Sequence, residues 1–299
     1  MAFSQPASIS KKATANTYAL VVGIGQYEHR SIPALRFAEQ DARIFGEYLM
    51  SPAGGNIPEK QVRSLIGEHA TISNIYEGLK WLKGICRKKD KVILYFSGHG
   101  DVETDHVKNL GYLLAWNTPP NNYRNNAIRL EDVNDWANEI SLKKGGEILL
   151  ITDACHSGKL AGDFLKGNQL TREKLRTVLN NEVRITACGP DELAAEGTEW
   201  GGGRGVFSWY LLNGLNGLAS SQQPGAITLG ELQLFLDSSF ANDKFLKEQD
   251  HRQKPISDGH PGFVMANTDP QVLSAYRKSF QQQRAAIPRL PAGLLPFKA

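Results

Sequence analysis

Apolar runs recur along this chain and stop abruptly. YALVVGI (18–24), KVILYFS (91–97) and GEILLIT (146–152) are nearly continuous. That pattern suits strands buried on both faces of a parallel sheet. VRSLIG (62–67) and EVRITAC (182–188) read as two shorter strands. Between the runs, the apolar residues take helical spacing. Leu35, Ala38, Ala42, Phe45 and Leu49 form one stripe across 34–50. Thr71 is placed to cap a helix whose apolar face is Ile72, Ile75, Leu79, Leu82 and Ile85. Leu130, Val133, Trp136, Ala137 and Ile140 mark another helix. GVFSWYLLNGL (205–215), entered through WGGGRG, predicts a helix, and a further one covers about 228–240. NLGYLLAW (109–116) reads as a short extra strand. GFVMA (262–266) reads as the last strand, either an open edge or a covered one. Strands alternating with helices predict an α/β fold, a mostly parallel sheet with helices on both faces.

The punctuation divides the chain into a flexible N-terminal segment (1–16), one domain (17–270) and a C-terminal tail (271–299). The segment 159–181 is polar, and 281–299 holds three prolines. A core of this size buries roughly 75% of the unfolded chain's surface, so no covalent staples are needed. The three cysteines, Cys86, Cys155 and Cys188, are widely spaced and form no CxxC pair. A disulfide framework or zinc site is therefore not expected, and the usage points to a reducing, cytoplasmic compartment. No run reaches the ~18 apolar residues of a membrane span, and residues 1–16 lack the apolar stretch of a signal peptide. The formal charge of +3 is uneven. Lys11 and Lys12 at one end, and Arg277, Lys278, Arg284, Arg289 and Lys298 at the other, are accompanied by no acid, so the middle is net acidic. No basic cluster is dense, which favours solvated ends over a nucleic-acid site.

Two of the apolar runs end in reactive residues. KVILYFS is followed by GHG, which contains His99, and GEILLIT by DACHSG, which contains Cys155. In an open α/β sheet, ligands bind outside the carboxyl ends of the strands. The two side chains are separated by room for one crossover and can sit above the same sheet edge. There the imidazole can take the thiol proton and the thiolate attack a carbonyl. A thiol paired with an imidazolium has a lowered pKa. Gly98 and Gly100 allow tight turns, and the Gly100 and Cys155 amides are candidates for the oxyanion site. A buried structural thiol, or a hydrogen-bonded loop histidine, is the better account of either residue alone. The two together, each at a strand end in a glycine-containing turn, favour a nucleophile pair. GIGQYE (23–28) lacks the third glycine of a dinucleotide fingerprint, HSGK (156–159) lacks the glycine of a P-loop, and no G-x-S-x-G elbow exists. Cys188 reads as a core thiol.

YFSGHG and DACHSG resemble the histidine and cysteine motifs of the caspase-like cysteine peptidases. D-x-C-x-S-G is the pattern of metacaspases and their bacterial relatives rather than of caspases themselves. The similarity runs from about Tyr18 to Ala266 and takes in YALVVGIGQY, AEQDA and ACGPDELAAE…GRGVFSWYLLNGL. It implies a caspase-like sheet with a large portion to about 158, a joining loop at 159–181 and a small portion over 182–270. It implies a cysteine endopeptidase with Cys155 as nucleophile and His99 as general base and acid. In metacaspases the acid two residues before the nucleophile, and a second from the first helix, line the S1 pocket. Those positions are Asp153 and Asp41 here, and they imply protein or peptide substrates cut after Arg or Lys. One such ion pair at ~4 Å is worth on the order of 4 kcal/mol at an effective dielectric near 20, before desolvation. Lys159, Lys166, Arg172, Lys174 and Arg176 would then be self-cleavage points in a zymogen, with an uncleaved solvated loop as the alternative.

No cofactor is required for this chemistry and no metal site is expected. Asn117 stands near where calcium-dependent metacaspases carry an Asp, and Asp101, Glu103 and Asp105 do not have the spacing of an EF-hand loop. Calcium activation is left open and not predicted. A separate activator protein is an expected partner. The competing readings are a catalytically inactive caspase-like interaction module and a redox-sensing thiol.

Overall fold

The computed structural model describes residues 15–104, 109–154, 181–188, 192–220, 225–267, 274 and 276. The long apolar runs are the central strands. β1 (Thr17–Gly23), β3 (Lys91–Ser97) and β7 (Glu147–Asp153) lie parallel, flanked by β2 (Val62–Ile66) beyond β1 and β8 (Glu182–Thr186) beyond β7. Their registers run Thr17↔Lys91↔Glu147 at one end and Gly23↔Ser97↔Asp153 at the other. The carboxyl ends of three strands are therefore level, at the edge where GHG and DACHSG begin.

Successive residues of these strands face opposite layers, because a strand repeats every two residues. Ala19, Val21, Ile93, Tyr95, Leu149, Ile151, Val183 and Ile185 bury one face. They pack with α1 (Ala38–Met50), α4 (Val206–Asn213) and α5 (Leu229–Ala241), the Phe45 ring stacking on Tyr95 with centroids 4.3 Å apart. Tyr18, Leu20, Val22, Val92, Leu94, Phe96, Ile148 and Leu150 bury the other face, covered by α2 (Ile72–Ile85) and α3 (Leu130–Asn138). Two layers of helices on a mostly parallel sheet match the expected architecture.

Local chemistry sets the helix starts. Thr71 caps α2 by accepting from the Asn74 N–H at 3.3 Å, and Asn117 Oδ1 accepts from the Ile72 N–H at 3.0 Å. Asn117 thus caps a helix from afar. α5 begins in a reciprocal capping box of Thr228 and Glu231. A short helix, α6 (Lys244–Glu248), is capped by Asp243.

Three features differ from the sequence reading or add to it. GFVMA does form a strand, β13 (Val264–Asn267), but it pairs antiparallel with β11 (Ala226–Thr228) in a separate two-stranded sheet. Beyond β8, the main sheet ends at β12 (Ile256–Asp258), which is antiparallel to β8, and β2 forms its other edge. The three half-buried residues of β12, ISD, carry no apolar run to announce a strand. The chain after His99 continues as β4 (Gly100–Thr104), which pairs with β5 (Asn109–Leu113) and through it with β6 (Ile128–Arg129). Tyr276, beyond the expected domain end, donates from its hydroxyl to Asn213 Oδ1 at 2.6 Å. Among the described residues, no helix is long and apolar enough to cross a membrane.

Candidate active site

His99 is fully buried and held at both ends. Its backbone N–H donates to the Tyr27 hydroxyl at 2.7 Å. Its ring Nε2 lies 2.8 Å from the Pro33 carbonyl oxygen. A carbonyl only accepts, so Nε2 carries the hydrogen, and in the neutral ring Nδ1 then carries the lone pair. The ring also stacks on Tyr27, with centroids 5.2 Å apart and planes 27° from parallel. Burial holds the Tyr27 phenol well above its usual pKa, against the opposing pull of the His99 N–H, so the hydroxyl stays neutral. Gly98 leaves the histidine's surroundings uncrowded. A Cβ there would lie 3.0 Å from the Phe96 ring and 3.1 Å from the Tyr27 hydroxyl.

The strand register carries the geometry to the second motif. Ser97 pairs with Asp153, and the Gly98 N–H extends the ladder to the Asp153 carbonyl at 3.1 Å. His99 and Cys155 are each two positions past that pair. Cys155 itself lies outside the described residues, as do the basic residues of 159–180. Gly100 opens β4 opposite Leu113. The Leu114 N–H donates to the His99 carbonyl at 2.9 Å. The alternation of an antiparallel ladder then turns the Gly100 N–H away from β5.

The two candidate pocket acids sit in the core, on the α1 and α4 side of the sheet. Asp41 and Asp153 are both 0% exposed. Asp41 lies in the first turn of α1 and accepts from the Arg204 Nε and, at 2.8 Å, from the Gly205 N–H. Asp153 Oδ2 accepts from the Ser208 hydroxyl at 2.9 Å. Ser208 Oγ is also 2.7 Å from the Tyr95 hydroxyl. A serine hydroxyl has one hydrogen, so Tyr95 donates to Ser208 and Ser208 to Asp153. Burial raises the Asp41 carboxyl to about 7, with Asp153 adding to the rise and Arg204 opposing it. Asp41 is thus a buried residue of α1, not an exposed one.

Residues outside the expected set complete the site. Pro33 and Tyr27 orient the histidine. Arg204 and Gly205 form β10, which pairs with β9 (Glu196–Gly197). The Glu196 carboxylate accepts from the Arg36 and Phe37 N–H groups at 3.0 and 3.1 Å. It thereby caps α1, whose own N-cap residue Phe37 supplies no side-chain bond. The three glycines before Arg204 were the one sequence signal pointing to this turn. The 0%-exposed Cys188 thiol lies 3.3 Å from the Glu192 carbonyl. Among the described residues, no group of three or more His, Cys, Asp or Glu is arranged to hold a metal ion.

Comparison with known proteins places the chain in a family. A peptidase C14 family model, described as the caspase domain, matches residues 16–262. A curated relative named "probable protease", from a Desulfuromonadales bacterium, is 24% identical over 221 residues, covering 69% of this chain and 26% of the relative. The chain thus spans about a quarter of that relative's length. A crystal structure of a Geobacter sulfurreducens protein superposes with a TM-score of 0.56 at 16% identity, covering 86% of this chain and 96% of the other, a likeness of fold alone. The family model spans β1 through β12 and takes in both motif-bearing strand ends, and on that match the chain belongs to the caspase domain family.

Proposed function

We propose that the chain is a cysteine endopeptidase that cuts proteins or peptides after Arg or Lys. The observation that carries this reading is the clamp on His99. With Nε2 donating to the Pro33 carbonyl, Nδ1 is the nitrogen left to accept a proton. The general base thus has its tautomer set before substrate arrives, which is what nucleophilic catalysis by a thiol needs.

In the reaction, Nδ1 of His99 takes the Cys155 thiol proton and the thiolate adds to the scissile carbonyl. The Gly100 and Cys155 amides donate to the resulting oxyanion. The imidazolium returns its proton to the leaving amine, and a thioester remains on Cys155. Water, deprotonated by the same histidine, then hydrolyses the thioester and restores the thiol. Asp153 and Asp41 supply negative charge for a basic P1 side chain. Cleavage within 159–181 by the same specificity would make the chain its own substrate, and an activator protein would act on that step.

The test is cleavage of matched fluorogenic peptides with Arg, Lys, Asp or Ala at P1, with and without calcium. Arg or Lys cleavage that is absent in Cys155→Ala is the expected result. Cleavage after Asp would keep the dyad and overturn the pocket assignment. No cleavage, together with no labelling of Cys155 by a basic covalent probe, would leave an inactive interaction module. Wild-type turnover in folded Cys155→Ala would end the mechanism.

A further inference from the structure

The loop between β1 and α1 (24–37) carries both groups that orient His99. The Tyr27 hydroxyl accepts from its backbone N–H, and the Pro33 carbonyl accepts from Nε2. The near end of the loop is tied to the sheet, where the Ile24 N–H donates to the Ser97 carbonyl at 2.9 Å. The Glu28 N–H ties the middle to the Trp116 carbonyl at 3.0 Å. The Leu35 N–H donates to the Gly25 carbonyl at 2.7 Å, which joins the loop to itself and not to another element. Packing does little to fix the backbone around Pro33. Ile32 and Leu35 are buried, but Pro33 is half-buried, and Ala34 and Arg36 are exposed. Proline also has no N–H through which its own position could be held.

The far end of the loop is held from the other portion of the chain. Glu196 accepts from the Arg36 and Phe37 N–H groups, one on each carboxylate oxygen, at 3.0 and 3.1 Å. These bonds are charge-assisted, and the carboxylate faces the positive end of α1. Glu196 is itself fixed by a two-stranded clip. β9 pairs with β10, and the Val206 N–H donates to the Ala195 carbonyl at 2.9 Å. Gly203, at φ +135°, brings the clip close to the loop, since a Cβ there would come within 2.6 Å of the Phe37 ring. The clip grips the first turn of α1 a second time, through the Gly205 N–H on Asp41.

We propose that Glu196 is a positioning residue for His99: by holding the Arg36 and Phe37 N–H groups it fixes the Pro33 carbonyl, and through that carbonyl the imidazole tautomer. This rests on the reading of His99 as the general base. Only Ala34 and Leu35 separate Pro33 from Arg36. A released far end therefore moves the carbonyl away from Nε2, and the hydrogen then distributes between the two ring nitrogens. A ring with its hydrogen on Nδ1 cannot take the thiol proton there. The bonds of Arg204 and Gly205 to Asp41 do not involve Glu196, so P1 binding is not on this path.

The experiment reads the ring and the rate on the full chain. Nitrogen NMR of isotopically labelled histidine reports which ring nitrogen carries the hydrogen. It is recorded in the Cys155→Ala background, which keeps the ring neutral and stops turnover, and H99Q identifies the signal by its loss. The chain with Glu196 is expected to show the Nε2–H tautomer alone. E196A is expected to show both tautomers and, with Cys155 intact, a kcat lowered about tenfold or more with KM within about twofold. E196D, which keeps a carboxylate, is expected to restore the single tautomer in part. T228A, which removes the cap of α5 and so destabilises the fold elsewhere, is expected to leave tautomer and kcat unchanged. E196A with the Nε2–H tautomer alone overturns the proposal whether or not its rate falls, because a fall without a change in the ring is a structural loss. That result leaves the peptidase reading standing. Should E196A fail to fold, E196Q, which keeps one acceptor oxygen, carries the test under the same criterion. A chain with Cys155 intact that neither cleaves basic peptides nor is alkylated there by iodoacetamide ends the peptidase reading, and a role for Glu196 in turnover with it.

Discussion

Removing the Tyr27 hydroxyl tests the histidine clamp most directly. Tyr27→Phe keeps the ring that stacks on His99 and deletes the acceptor of its backbone N–H. His99 is fully buried and Tyr27 is 7% exposed, so water does not readily replace the lost partner. A buried donor left unpaired costs about 1–3 kcal/mol. For a domain of this size, each kcal/mol lowers the melting temperature by about 2–4 °C, so a fall of about 2–12 °C is expected. The catalytic effect should exceed the thermal one. The N–H fixes the start of the GHG turn, and a ~1 Å shift of a reacting group costs up to about a hundredfold in rate. The expected signature is a fall in kcat with KM little changed, because Asp41 and Asp153, the acids proposed to bind P1, lie on the other face of the sheet. Calorimetry and steady-state kinetics on the same preparation measure both. Tyr27→Leu, which also removes the stack, should cost about 0.5–1.5 kcal/mol more. A Phe variant that melts within about 1 °C of wild type and retains its kcat would show that the hydroxyl neither supports the fold nor positions His99.

Two further outcomes follow from buried carboxyls. Asp243 accepts from Trp200 Nε1 at 2.9 Å, the Tyr210 hydroxyl at 2.6 Å and the Leu246 N–H at 2.8 Å. Asp243→Asn turns an amide group on at least one of these donors and should cost about 1–3 kcal/mol, read as a lower urea midpoint with P1 selectivity unaltered. An unchanged midpoint would remove Asp243 from the account of stability. The Asp41 carboxyl is raised from 3.8 to about 7, so the native state holds a proton that the unfolded chain releases. Its contribution is fully present below the unfolded value and is lost as pH rises through about 7. Urea midpoints should fall between pH 5 and pH 8 more steeply in wild type than in Asp41→Asn, and parallel slopes would contradict the raised carboxyl.

The apolar runs were sufficient to read the alternation of strands and helices, because a strand covered on both faces leaves no polar position in its middle. The helical stripes of α1, α2 and α3 were legible for the converse reason, one face buried and one wet. His99 and its glycines stood out because small residues beside a reactive one at a strand end are rare in a plain core. The half-exposed β12 was illegible, since three residues with mixed burial carry no period. The partners of His99 and Asp41 were equally hidden. Pro33 acts through a backbone carbonyl, which every residue owns, so its identity gives no sign of the role. Glu196 and Arg204 meet the start of α1 across about 160 residues of chain, a distance over which local pattern carries no information. Composition and periodicity alone determined an α/β sheet with a histidine and a cysteine at neighbouring strand ends. Only the tertiary structure decided which imidazole nitrogen is protonated and that an arginine stands on Asp41, because both depend on what long-range packing brings within hydrogen-bonding distance.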